Sequence, residues 1–214
     1  MGLPSNEVAI ANLALDRLGQ PHVSNISPGN TSTEIILAGQ FGEVRQSLLR
    51  KHIFPFAVKR VNISRVADAP AMDFPDAYQL PADFVRLLSV MGEFGEISQS
   101  RDYAIEGRTV LIDGGGAGTI KCRYIADVTD VSQWDAGFRR CFAIALAIAC
   151  CYKITKKTEL LKPLESELAR ELPDAVTVAG QEVPPRRIQR SKYLDARAKG
   201  AGSVNIASKY VEFD

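Results

Sequence analysis

Apolar residues at the start of the chain recur at spacings of three and four. Val8, Ala11, Leu15 and Leu18 fall on one helical face. Ser5 is placed to cap that helix and Gly19 to stop it, and Glu7 and Arg17 complement its dipole. The pattern predicts a helix over 5–18. Pro21, Pro28 and Gly29 make 20–30 a loop. Thr31 with Glu34 forms a capping box, and Leu37, Phe41, Val44 and Leu48 continue at helical spacing. A second helix is expected over 31–52. Pro55 ends it and leaves 56–60 as a short separate turn.

From 61 to 128 the period changes. Pro70, Pro75 and Pro81 punctuate the first half, and short apolar runs come after them at 85–91, 103–105, 109–112 and 119–125. The last two flank the glycine-rich stretch 113–118, which reads as the turn of a β-hairpin. Residues 106–108 read as another tight turn. Asp135 then opens the strongest helix, over 135–157. Its centre, CFAIALAIACCY, is apolar around the whole circumference, so it must be buried by its own domain or by neighbouring subunits. A fourth helix is expected over 158–171, interrupted or started by Pro163, and after Pro173 the pattern fails. Pro184 and Pro185 make 183–187 extended. Residues 188–214 have too little periodicity for a core. The segment reads as an arm that orders against a partner.

The fold class is therefore α+β. A mainly α-helical bundle (1–60 and 129–180) carries an inserted small antiparallel β subdomain (61–128) and an extended C-terminal arm (181–214).

Composition changes this picture little. The 214 residues are 46% hydrophobic and 24% charged, ordinary for a globular core, and the net charge is +1. That balance makes no case for a nucleic-acid-coating or membrane-surface protein, though a locally charged face can hide inside it. No basic segment leading into a long apolar one opens the sequence, so no secretory signal is expected. The longest apolar run, 141–152, is far short of the ~20 residues a spanning helix needs. A soluble protein made inside a cell is expected. Cys122, Cys141, Cys150 and Cys151 lack paired metal-site spacing and read as small buried hydrophobes.

Chemistry is sparse. The stretch 113–118 lacks the Lys-Ser/Thr pair of a phosphate loop, and it leads into a strand rather than a helix. His22 and His52 are the two histidines; they form no metal-binding pair and lie near no nucleophile elbow. Asp73, Asp76, Asp83, Glu93, Glu96 and Asp102 lie in the β-rich half. They read as turn residues and caps, although two distant carboxylates can hydrolyse a glycosidic bond without a sequence signature. Phe54, Phe56, Tyr78, Tyr103, Tyr124 and Trp134 read as core or interface anchors. No catalytic residue, cofactor site or metal site is assigned. In the arm, Arg186, Arg187, Arg190, Tyr193, Leu194 and Arg197 mix cations with apolar anchors, the types enriched at binding hot spots.

The order of segments resembles one known family. Ile10-Ala11-Asn12-Leu13-Ala14-Leu15-Asp16-Arg17-Leu18-Gly19 is similar to the opening helix of phage tail tubular protein A, the head-to-tail adaptor of short-tailed bacteriophages. Leu48-Leu49-Arg50-Lys51-His52-Ile53-Phe54-Pro55-Phe56-Ala57 resembles its aromatic segment, with Ile-Phe-Pro-Phe in place of the usual Pro-Trp order. Tyr78-Gln79-Leu80-Pro81-Ala82-Asp83-Phe84-Val85-Arg86 and Tyr103-Ala104-Ile105-Glu106-Gly107-Arg108 resemble two further elements. So do Tyr124-Ile125-Ala126-Asp127-Val128-Thr129-Asp130 and Ser191-Lys192-Tyr193-Leu194-Asp195-Ala196-Arg197. Each match is short; together, in order, they span about 5–197.

The resemblance implies a virion protein at the head–tail junction, made in the host bacterial cytoplasm. It implies a ring of identical subunits, commonly about twelve in such proteins, beneath the portal protein. It also implies docking to the tail nozzle protein and a channel that passes double-stranded DNA without reading its sequence, with no membrane partner. Two other classes stay open: a virion-associated glycan hydrolase using two carboxylates, and a small monomeric binding module of the host.

Overall fold

A computed structural model describes residues 6–26, 30–67, 72–92, 95–97, 103–113 and 118–182. The chain falls into two units, 1–183 and 184–214. The second unit holds Arg186, Arg187, Arg190, Tyr193, Leu194 and Arg197, and it lies outside the described residues. The α+β class holds for the first.

Helix α1 spans Glu7–Arg17. Its cap is Asn6, not Ser5: Asn6 is extended (φ −125°, ψ 162°) and its side chain accepts from the Ala9 N–H at 2.7 Å. Gly19, at φ +61°, ends the helix. The Gly19 N–H donates to the Asp16 carbonyl and the Gln20 N–H to the Leu15 carbonyl, so two terminal carbonyls are satisfied. Helix α2, Ser32–Lys51, starts on the expected capping box. The Glu34 carboxylate accepts from the Thr31 and Asn30 N–H groups, and these bonds hold its pKa below the ordinary value.

One 3₁₀ turn, Pro55–Ala57, leads into strand β1, Val58–Ser64. The expected turn over 56–60 is thus too long. Val58, Lys59 and Arg60 already pair with a partner strand, so the β part begins at 58 rather than 61. The other strands are β2 (Asp76–Gln79), β3 (Phe84–Gly92), β4 (Gly95–Ile97), β5 (Tyr103–Glu106), β6 (Thr109–Ile112) and β7 (Thr119–Ala126).

They form two antiparallel sheets, β1-β7-β3-β4 and β2-β6-β5. The expected hairpin across 113–118 is not there. β6 is the centre of its sheet, with β2 and β5 on its two edges, so neither edge is left for β7. β7 is itself flanked by β1 and β3. β6 and β7 therefore belong to different sheets, and residues 114–117 between them lie outside the described residues. The tight turn at 106–108 does close a hairpin, β5 to β6, with Gly107 at φ +56° where a two-residue turn favours glycine. Beyond β1, Arg65 bridges to Tyr78 and ties the two sheets together. Ile63, Tyr78, Val90, Val110, Ile112, Ile120, Cys122 and Tyr124 are buried in the core of this part.

Helix α3, Ala136–Thr155, starts on Asp135, whose carboxylate accepts from the Phe138 N–H at 2.6 Å. It packs on α1, on α2 and on α4, Leu161–Gln181. Its all-round apolarity is therefore met largely within its own unit. Trp134 meets both Phe138 and Phe142 edge to face, with Phe41 and Phe54 closing the cluster. The Trp134 indole N–H donates to the Val128 carbonyl.

Helix α4 runs past 171, where the sequence pattern predicts its end. Pro163 sits in its first turn, where a missing N–H costs nothing. Pro173 lies inside, yet Leu172, Ala175 and Val176 pack on the helical core and Ala179 is buried in it, so tertiary burial outweighs the break. The approach to α3 is close: a Cβ on Gly137 would stand 3.0 Å from the Ala175 Cβ. Among the described residues, no helix is long and apolar enough to cross a membrane.

Candidate functional site

The helical and β parts meet where the end of α2 crosses the start of β3 and the end of β7. Arg45 lies at the same helical spacing as Phe41 and Leu48, so its guanidinium enters the seam. There it meets Asp127, just beyond β7, with Nε to Oδ1 at 2.5 Å and Nη2 to Oδ2 at 3.0 Å. Gln46 donates to the same carboxylate at 2.8 Å. Burial works against the charge on Asp127, but the Arg45 and Gln46 hydrogen bonds outweigh it, so its pKa lies below the ordinary value.

Asp83 stands beside it; the Asp127 N–H donates to the Asp83 carbonyl at 2.7 Å. The Asp83 carboxylate takes Lys59 Nζ at 2.7 Å and the Tyr124 hydroxyl at 2.8 Å. Burial opposes its charge too, and these two donors outweigh burial, so its pKa is also lowered. Burial, reinforced by Asp83, pushes the Tyr124 phenol well up.

The arginines spend their donors on backbone. Arg50 donates to the Val85 carbonyl at 3.1 Å, and Arg86 donates back to the Arg50 carbonyl at 2.8 Å. Arg108 donates to the Pro81 carbonyl, while its own carbonyl accepts from the Leu80 N–H. Over this network lies an open cleft of about 790 Å³, lined among others by Glu43, Gln46, Arg50, Asp83, Arg108 and Asp127.

Chemically this is a clamp. Its carboxylates are matched by cations and held ionised, so neither is poised as a general acid, which needs a raised pKa. Comparison with protein-family models and with curated proteins finds no match. The clamp nevertheless gathers charged residues from four of the short segments that carry the resemblance: Arg50, the pair Asp83 and Arg86, Arg108, and Asp127.

The remaining candidates scatter. Asp76 is buried against Arg65 at 2.5 Å, and Asp73 is exposed at φ +64°. Glu93, Asp102 and the side chain of Glu96 lie outside the described residues. His22 bonds Asp16 at 2.6 Å in the open, and His52 is the C-cap of α2. All four cysteines are buried and unpaired with one another, and burial pushes the Cys122, Cys141 and Cys150 thiols up to about 11. Among the described residues, no group of three or more metal-ligating side chains is placed to hold an ion.

The sequence reading missed Arg45. The available signal was a charged residue on the buried stripe of α2, which has to find a buried partner.

Proposed function

We propose that the chain is a structural head-to-tail adaptor of the tail tubular protein A type, not an enzyme. In this reading identical copies form a ring of about twelve, seated between the portal protein and the tail nozzle protein of a short-tailed phage. Genomic double-stranded DNA passes through its channel, and the protein belongs to the virion.

The observation that carries the reading is the convergence at the seam. Short elements from distant parts of the sequence resemble one family in order, and their charged residues meet in one clamp between the helical and β parts. Random matches have no reason to cooperate structurally. A two-carboxylate hydrolase requires one acid whose pKa is raised. Among the described residues, the carboxylates whose pKa values are displaced, Glu34, Asp83, Asp127 and Asp130, are all displaced downward. The arm residues Arg186, Arg187, Arg190, Tyr193, Leu194 and Arg197 belong to this proposal as portal- or neighbour-binding groups.

The test is to mix the full chain with portal rings and follow co-sedimentation and electron microscopy. An added ring on one face of the portal is expected. A chain that stays in the supernatant at saturating concentration overturns the reading. Cleavage of capsular or cell-wall glycan, abolished by Asp83→Asn or Asp127→Asn in a folded variant, would replace it with the hydrolase.

A further inference from the structure

Three neighbouring strands, β1, β7 and β3, carry five cations and no carboxylate: Lys59, Arg60, Arg86, Lys121 and Arg123. Strand alternation sorts them. Ile63, Ile120, Cys122 and Tyr124 point into the core between the sheets, so Arg60, Lys121 and Arg123 occupy the opposite face. Nearer the helices that face is covered, with Ile125 buried in the helical core. Farther out it is open: Arg60, Asn62, Ser64, Thr119 and Lys121 are exposed and Arg123 is half-buried.

The register makes this arrangement costly. Arg60 stands directly opposite Arg123, and like charges in such a pair repel. Arg123 Nε is buried and has no hydrogen-bond partner. Glu96 of β4 holds the register position opposite Met91, two strands away from Lys121.

We propose that this outer sheet face binds the phosphodiester backbone of double-stranded nucleic acid, without reading sequence. Its remaining polar groups are the amide of Asn62 and the hydroxyls of Ser64, Ser89 and Thr119. Arg and Lys supported by Ser, Thr and Asn is the set that contacts phosphates. A protein partner of this area would require apolar or aromatic anchors at its centre, and among the described residues Met91 is the one large apolar group exposed here. Single strands bind on aromatic platforms, and β1, β7 and β3 present no aromatic on this face. The inference goes beyond the adaptor reading, which requires a channel but no affinity for what passes through it. It concerns the free chain, so its failure would leave portal attachment untouched.

The experiment is fluorescence anisotropy of the full chain with labelled duplex DNA of two unrelated sequences, at several salt concentrations. Both duplexes should bind alike. Each of Arg60→Gln, Lys121→Gln and Arg123→Gln should lower the slope of log affinity against log salt by about 0.9. Arg123→Lys should restore most of the slope. Should Arg123→Gln fail to fold by circular dichroism, Arg60→Gln and Lys121→Gln, at exposed positions, carry the test. No saturable binding at low salt, or an unchanged slope in the Arg60→Gln, Lys121→Gln double variant, overturns the proposal. So does preference for single strands, or competition by polyglutamate as effective as by unlabelled duplex, which would mark an acidic protein surface as the partner.

Discussion

Arg45 and Asp127, 82 positions apart in the chain, are joined by two parallel hydrogen bonds, with their side chains only 10% and 15% exposed. The pair fastens the second half of α2 to the residue just beyond β7. Removing one partner leaves the other charge unpaired in a largely buried position. Asp127→Ala or Arg45→Met should each cost about 3 kcal/mol or more. The double variant Arg45→Met, Asp127→Leu should recover a large part, because it buries no lone charge. Urea unfolding of the four proteins measures this. Single losses below about 1 kcal/mol would mean that water reaches the pair freely.

The same pair gives a pH dependence. The folded pKa of Asp127 lies below its unfolded value, as does that of Asp83. Their contribution is fully present above the ordinary carboxylate range and is lost as pH falls through the lowered values. His52 adds a second step nearer neutrality. Its folded pKa is lowered from 6.5, chiefly by burial, so protonation favours the unfolded chain once pH falls below that value. Stability measured from pH 8 to pH 5 should therefore fall in the wild type, and His52→Gln should flatten that part of the curve. An identical pH profile in the variant would place the titrating group elsewhere.

Two glycines should respond in opposite senses to the same substitution. Gly137→Ala puts a methyl 3.0 Å from the Ala175 Cβ, between two packed helices that cannot yield without shifting. A loss of about 1–3 kcal/mol is expected. Gly39 lies in the interior of α2 with nothing within 4 Å of the added Cβ. Gly39→Ala should gain about 0.5–1 kcal/mol from backbone entropy. Thermal melts of both variants decide it; a stabilised Gly137→Ala would show that α3 and α4 leave room for a methyl between them.

Much of the helical part was legible because its signals are local. Thr31 with Glu34 and Asp135 before an apolar run mark helix starts by bonds within one turn, and both helices begin where those residues say. Strand partners are not local. The runs at 109–112 and 119–125 look like a hairpin because they are adjacent, but β6 is already taken on both edges by β2 and β5. β2 was invisible as a strand because it is only Asp76–Gln79, set between Pro75 and Pro81. The clamp was half legible. Its residues stood out by resemblance, but nothing in their spacing says that Arg45 reaches Asp127 or that Arg50 and Arg86 trade carbonyls. Such contacts are set by how α2 lies on the sheet.

Pro173 offers the sharpest separation of local preference from tertiary burial. A proline inside a helix deletes the bond to the carbonyl four residues earlier and crowds that turn, at a cost of about 3 kcal/mol. α4 nevertheless continues to Gln181, and the Thr177 hydroxyl donates to the Pro173 carbonyl at 2.7 Å. What holds the second half is packing, with Leu172, Ala175 and Val176 against the helical core and Ala179 buried in it. Pro173 itself is exposed, so replacing it removes no core contact. Pro173→Ala should therefore restore a backbone bond at no packing cost and stabilise the chain by about 1–3 kcal/mol. Ala179→Asp attacks the other side of the balance. It places a charge at a site 4% exposed and should fray the end of α4. Amide hydrogen exchange across 174–181 reads both effects: protection should rise in Pro173→Ala and collapse in Ala179→Asp while α1 to α3 stay protected. If protection across 174–181 is low in the wild type and stays low in Pro173→Ala, packing against α3 does not hold that half of the helix.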